Sequence, residues 1–156
     1  MNDKSTIQDW LLLLMELRED VTPKWGIMES QHLIEHISAT FAISNGKLNA
    51  EILTPPEKIA HRKGQFFQPE TVFPRGILAP GSKPEAPFPK RFASFDEAKV
   101  VLAQNVERFF KYYEDQPIAT PSHPFFGPLS EEEWLFFHVK HLRHHLTQFG
   151  LIPELE

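Results

Sequence analysis

Eight of the chain's fourteen prolines fall between residues 46 and 94: Pro55, Pro56, Pro69, Pro74, Pro80, Pro84, Pro87 and Pro89. Proline cannot donate the helical backbone hydrogen bond and clashes with the preceding turn, so no long regular element runs through this segment. A short helix near Glu57–Lys63 is all that the spacing allows. Yet Phe66, Phe67, Phe73, Phe88 and Phe92 are too apolar for a free linker. The segment is expected to pack onto the rest of the chain, and structureless stretches this long inside a domain usually carry function.

On either side of it lie helical patterns. Before it, Ile7, Trp10, Leu11, Leu14 and Leu17 follow helical spacing, predicting a helix from Ile7 to Glu19 capped by Ser5 and Gln8. A second helix begins near Met28 and stops at Asn45-Gly46. After the segment, Ser94 and Glu97 form a capping-box pattern ahead of a helix whose core stripe reads Ala98, Val101, Leu102, Asn105, Phe109 and Tyr112. The fourth starts at Ser130, with Glu133 in the box, and stops at Gly150. No stretch alternates as a strand does. The expected class is all-α, a four-helix bundle with a long crossover between helices 2 and 3. A short loop makes antiparallel neighbours; a crossover of this length lets the third helix run parallel to the second.

The 156 residues, 41% hydrophobic, suit one domain spanning 1–156. A net charge of −5 argues against non-specific nucleic-acid binding. The longest apolar run, Trp10–Met15, is far too short to span a membrane, and the polar N-terminus lacks a signal-peptide pattern. A cytoplasmic protein is expected. Cysteine is absent, which excludes disulfides, thiolate metal sites and thiol nucleophiles of the chain itself.

Four of the eight histidines crowd into residues 138–145: His138, His141, His144 and His145. On a helix, Trp134, His138, His141, His145 and Gln148 share one face, the core-facing side. An unsatisfied buried polar group costs about 1–3 kcal/mol, so these rings need partners. His141 and His145, four apart, project from consecutive turns and can reach one ion. A further nitrogen must come from another helix, and helix 2 offers His32, Glu35 and His36. His144 points about 100° away from His145, behind the site or towards solvent. His138 is a fourth ligand or a pocket residue, and Gln148 can hold a ligand. Glu35 either orients a histidine or is solvated. His61 and His123 fall in loops and are expected to be exposed.

These residues resemble the DinB/YfiT-like superfamily. The likeness rests on His141-x-x-x-His145-x-x-Gln148 in a last helix and on the stretches "KWGIMESQHLIEH" (Lys24–His36) and "HPFFGPLSEEEW" (His123–Trp134). Members of that superfamily are four-helix bundles with the same long crossover and a metal bound by three histidines. The resemblance covers nearly the whole chain in architecture and about a third of it in specific motifs. It implies His36, His141 and His145 as ligands of a divalent metal ion (Zn, Ni or Fe). His32 is the alternative to His36, because in many members the helix 2 ligand follows the Trp more closely.

Three neutral imidazoles leave a coordination position open, the catalytic arrangement. The resemblance implies a transferase dependent on a small thiol, or a hydrolase, with a low-molecular-weight thiol as a partner and a homodimer as the assembly. The competing expectation is a non-catalytic, metal-stabilised protein that serves in stress response or as a binding module. His138 is the candidate general base. Phe66, Phe67, Phe125, Phe126 and Trp134 either wall an apolar pocket or fill the core.

Overall fold

The computed structural model describes residues 2–76 and 86–154. Pro80 and Pro84 of the crossover lie outside them. The architecture is a four-helix bundle of α1 (Asp3–Glu16), α2 (Ser30–Ser44), α4 (Phe95–Asp115) and α5 (Glu131–Gln148). A connecting helix, α3 (Pro56–Phe66), sits in the crossover between α2 and α4. A minimal hairpin of β1 (Ser122–His123) and β2 (Gly127–Pro128) precedes α5.

Helix α1 starts four residues earlier than its apolar spacing suggests. Asn2 is the cap, its side-chain oxygen accepting from the amides of Lys4 and Ser5, so Ser5 lies in the first turn. The helix also ends earlier, at Glu16. The Lys99 ammonium, from α4, donates to the carbonyls of Met15 and Leu17 at 2.7 Å each, satisfying groups that a helix end leaves unpaired.

Cross-contacts fix the directions. Along α2, Gln31 donates to the Phe92 carbonyl, Ser38 meets Asn105, and the Ser44 carbonyl accepts from the Tyr113 hydroxyl. Residue numbers rise together, so α2 and α4 run parallel, as the long crossover requires. Against α5 the order reverses: His36 faces His141 while Ser44 faces His138. Helices α1 and α5 run in the same sense, with Lys4 near Glu131 and Arg143 over Trp10.

One core runs through the bundle, with Ile7 and Leu14 of α1 and Leu17 just past its end aliphatic, and the side chains of α4 and α5 mixing aliphatic with aromatic residues such as Phe109, Trp134 and Phe137. On α4 the buried residues are Phe95, Ala98, Leu102, Asn105, Val106, Phe109 and Tyr113. Val101 and Tyr112, expected in the stripe, are half-buried. Tyr113 takes the inward place because its hydroxyl reaches the Ser44 carbonyl at 2.7 Å.

The crossover packs as expected, with one correction. Phe66, Phe67, Phe73 and Phe92 lie against the core, but Phe88, between Pro87 and Pro89, is 44% exposed. Helix α3 is longer than expected and buries none of its residues fully. It docks through its end, where the Phe66 ring lies 4.7 Å from that of Phe126. Glu35 is half-buried and makes no hydrogen bond to a histidine among the described residues. Its carboxylate accepts from the Arg91 and Phe92 amides and from Gln31, tying the end of the crossover to α2. No helix among the described residues is long and apolar enough to cross a membrane.

Candidate metal centre

Ser130 opens α5 with a complete capping box: its hydroxyl accepts from the Glu133 amide, and the Glu133 carboxylate accepts from the Ser130 amide. From that fixed start, helical periodicity turns His141 and His145 inward side by side. Opposite them α2 presents His36. The Nε2 atoms of His36 and His141 are 2.9 Å apart, and those of His141 and His145 are 3.1 Å apart. One nitrogen from each of the three rings lies within 4.8 Å of the others. His141 and His145 are 6% and 7% exposed, and His36 is half-buried.

His32, the alternative on α2, does something else. Its Nδ1 accepts from the Glu29 amide at 3.0 Å, closing the first turn of the helix. Two histidines four apart on one helix thus have different tasks.

The tautomer of His145 can be deduced. The Gln148 amide nitrogen donates to the Trp25 carbonyl at 2.9 Å, so the Gln148 oxygen must be the atom facing His145 Nδ1 at 2.7 Å. That oxygen only accepts, so Nδ1 carries the proton and Nε2 keeps its lone pair for the cluster. Trp25 and Gly26 make this possible. Gly26 has φ +82°, and a Cβ there would come within 2.9 Å of the Gln148 amide nitrogen. The Lys24 amide also donates to the Gln148 carbonyl, at 2.7 Å.

Burial holds the His36 pKa down to about 4, and the nearby His144 adds to the effect. Burial, and after it the neighbouring histidines, hold His141 well below the ordinary value. His145 is held down in the same way, chiefly by burial and then by His36. All three rings are neutral at neutral pH. A proton can bridge one pair of Nε2 atoms, but three rings crowded nitrogen to nitrogen cannot all be satisfied by one another. The Nδ1 atoms of His141 and of His138 both lack a partner among the described residues, so it is the meeting of Nε2 atoms that sets the trio apart. A cation at about 2.0–2.1 Å from each nitrogen answers this crowding with small ring movements. The donor set fits a divalent metal.

His138 is not part of the convergence. It is 0% exposed, its Nε2 lies 2.7 Å from the Ser44 hydroxyl, and its ring stacks on Phe41 at 3.8 Å. His123, expected to be exposed, is 6% exposed; its Nδ1 accepts from the Phe125 amide in the turn of the hairpin. The tight His-Pro-Phe-Phe-Gly turn folds the ring under, against Phe126 and Phe137 at 4.6 Å each. His61 is exposed, as expected.

Phe126 and Trp134 belong to the core, and Phe66, Phe67 and Phe125 pack against it. The open cavity beside the trio has other walls, Trp25 and Phe73 among them. Sequence reasoning missed Phe73 as a wall of the site, Ser44 as the partner of His138, and the Trp25 carbonyl. The one usable signal was Trp25-Gly26, a glycine beside an aromatic ahead of a buried glutamine.

A family model described as "Protein of unknown function (DUF1569)" matches residues 73–151, just over half of the 156 residues. The match runs from Phe73 through α4, the hairpin and α5, so it contains His141 and His145 but not His36. No curated protein and no solved structure matches the chain.

Proposed function

The chain belongs to the family described as Protein of unknown function (DUF1569), and from that premise we propose that it is a metal-dependent enzyme of the DinB/YfiT-like type. In this reading His36, His141 and His145 hold one divalent ion, zinc, nickel or iron. The observation that carries it is the convergence of three neutral ring nitrogens from two helices, with one of them held in the metal-accepting tautomer by Gln148 and Trp25.

A divalent ion held by three neutral imidazoles keeps its charge and supplies Lewis acidity towards a thiol, a water or a carbonyl. The chain's own residues do the rest. Gln148 orients His145. Phe73, whose ring lies 5.5 Å from that of His141, sets an apolar wall beside the cluster. The reaction class that fits is transfer to or from a small thiol, or hydrolysis. The base expected at His138 would have to pass its proton through the Ser44 hydroxyl, since its ring is sealed in the core. We therefore assign His138 to packing.

A second reading follows from the low exposure of His141 and His145: the ion stabilises the bundle without catalysis. Cobalt substitution separates the two. A visible spectrum that changes saturably when a small thiol is added supports an open, reactive site. A spectrum indifferent to thiols and other small ligands, in a protein whose melting temperature collapses with chelator, supports the structural ion.

A further inference from the structure

The residues of α5 that flank the trio make a stripe of their own. Lys140, Arg143, His144 and Thr147 are three or four apart and share a face beside that of His141 and His145. They form one side of a cavity of about 200 Å³, whose other walls include Trp25, Phe73 and Arg75. The cavity shares its wall with the trio. The His144 ring is 5.0 Å from that of His145, and Phe73 bridges His141 and His144 at 5.5 and 5.7 Å.

Its charge is unbalanced. Among the described residues three cations line it, Arg75, Lys140 and Arg143, against one carboxylate, Glu154. Glu154 is already paired with Arg75, whose guanidinium lies 3.8 Å over the Trp25 ring. Lys140 and Arg143 form no salt bridge among the described residues, although the Glu70 carboxylate lies near enough to Lys140 to favour its charge. The Lys140 ammonium donates to the Pro69 carbonyl, and Arg143 lies over Trp10 at 5.3 Å. Two like charges three residues apart on one helix face repel each other. Placed against apolar walls, they create a positive field focused into a cleft.

We propose that this cavity binds a small organic anion, a carboxylate or a phosphate, with Lys140 and Arg143 as its charge partners and Trp25 and Phe73 against its apolar body. The volume lies below the roughly 300–1,000 Å³ of drug-sized pockets, which sets the ligand at metabolite size. The anion's presentation to the trio rests on the metal-enzyme reading; its binding does not.

The test titrates the full chain with inorganic phosphate, malonate and the neutral malonamide at constant ionic strength, following tryptophan fluorescence and calorimetric heat. Saturable binding of either anion is expected, without binding of malonamide. Phosphate alone saturating identifies the phosphate class, and malonate alone the carboxylate class. In K140Q/R143Q the affinity should fall at least about tenfold, which corresponds to about 1.4 kcal/mol. Should the double variant fail to fold, Arg143→Gln alone should still weaken binding several-fold with an unchanged melt. No saturation by either anion, or equal affinity in a folded variant, overturns the proposal. Metal content measured on the same samples separates the two readings. Anion binding without stoichiometric metal keeps the cavity and removes the metal enzyme; metal without anion binding does the reverse.

Discussion

Helix α5 carries buried histidines of two kinds, one turn apart. His138 and its neighbour from the hairpin, His123, are enclosed by aromatic rings, and each has one private partner: the Ser44 hydroxyl for His138, the Phe125 amide for His123. His141 and His145 are nearly as buried, but their Nε2 atoms face each other and His36. Burial pushes down the pKa in both groups. Neither burial nor a depressed pKa therefore marks a ligand. Convergence of lone pairs does, and it requires a second helix at the right height. The parallel α2–α4 pair, anchored by Ser38–Asn105 and Ser44–Tyr113, sets that height.

The sharpest way to break this contrast is to exchange the losses. His141→Ala should lower metal affinity by at least about a hundredfold, given that even residues behind a ligand are worth 10- to 100-fold. His138→Ala should leave metal content intact and reduce unfolding free energy by about 2–4 kcal/mol through the cavity it opens, while the Ser44 hydroxyl keeps its bond to the Phe41 carbonyl. Metal analysis and urea unfolding on both variants check this. Metal loss in His138→Ala with retention in His141→Ala would dissolve the distinction.

Acid should expose what the two groups share. An ordinary imidazole has a pKa of 6.5, whereas in the fold His36 is held to about 4 and His123 to about 3. Below 6.5 the unfolded chain takes up protons that the folded chain refuses. The stability these groups contribute is thus whole above pH 6.5 and is lost as pH falls, levelling off for each group only below its folded value. Urea midpoints of the metal-free protein should fall steadily from pH 7 towards pH 4, and midpoints independent of pH would contradict the burial of neutral rings. With metal added the fall should be steeper, because the ligands exchange the ion for protons.

A finer test lies behind the cluster. Gln148→Leu removes the acceptor that fixes the His145 tautomer and should weaken metal binding by about 10- to 100-fold, with the fold retained. An unchanged affinity, read by competition with a chromophoric chelator, would mean that the tautomer needs no such support. The smallest effect is expected at His32. His32→Ala should cost about 1 kcal/mol, the scale of a lost helix cap, with metal binding untouched; loss of metal there would give His32 the role assigned to His36.

Much of this was legible in the sequence because it follows from periodicity. The prolines of the crossover, the Asn45-Gly46 stop of α2, the Ser94 and Ser130 caps and the Gly150 stop place the bundle helices, apart from the two ends of α1, and the four-residue interval of His141 and His145 puts them on one face. The hairpin was not legible. Two residues per strand show no alternation, and only the folded turn explains why His123 is buried. Nor could the division of labour on α2 be read from sequence. His32 and His36 have the same spacing and the same apolar neighbours, and what separates them is that the helix begins at Ser30, so His32 falls where a cap is needed. The Glu35 clamp on Arg91 and Phe92 joins residues more than fifty positions apart, a relation no local pattern records.

The most direct measurement is X-ray absorption at the edge of the metal that the purified, tag-free protein retains. One ion per chain is expected, with a shell containing three imidazole nitrogens at about 2 Å. A protein that takes up no stoichiometric zinc, nickel or iron, or one whose ion shows oxygen neighbours and at most one imidazole, contradicts the three-histidine site.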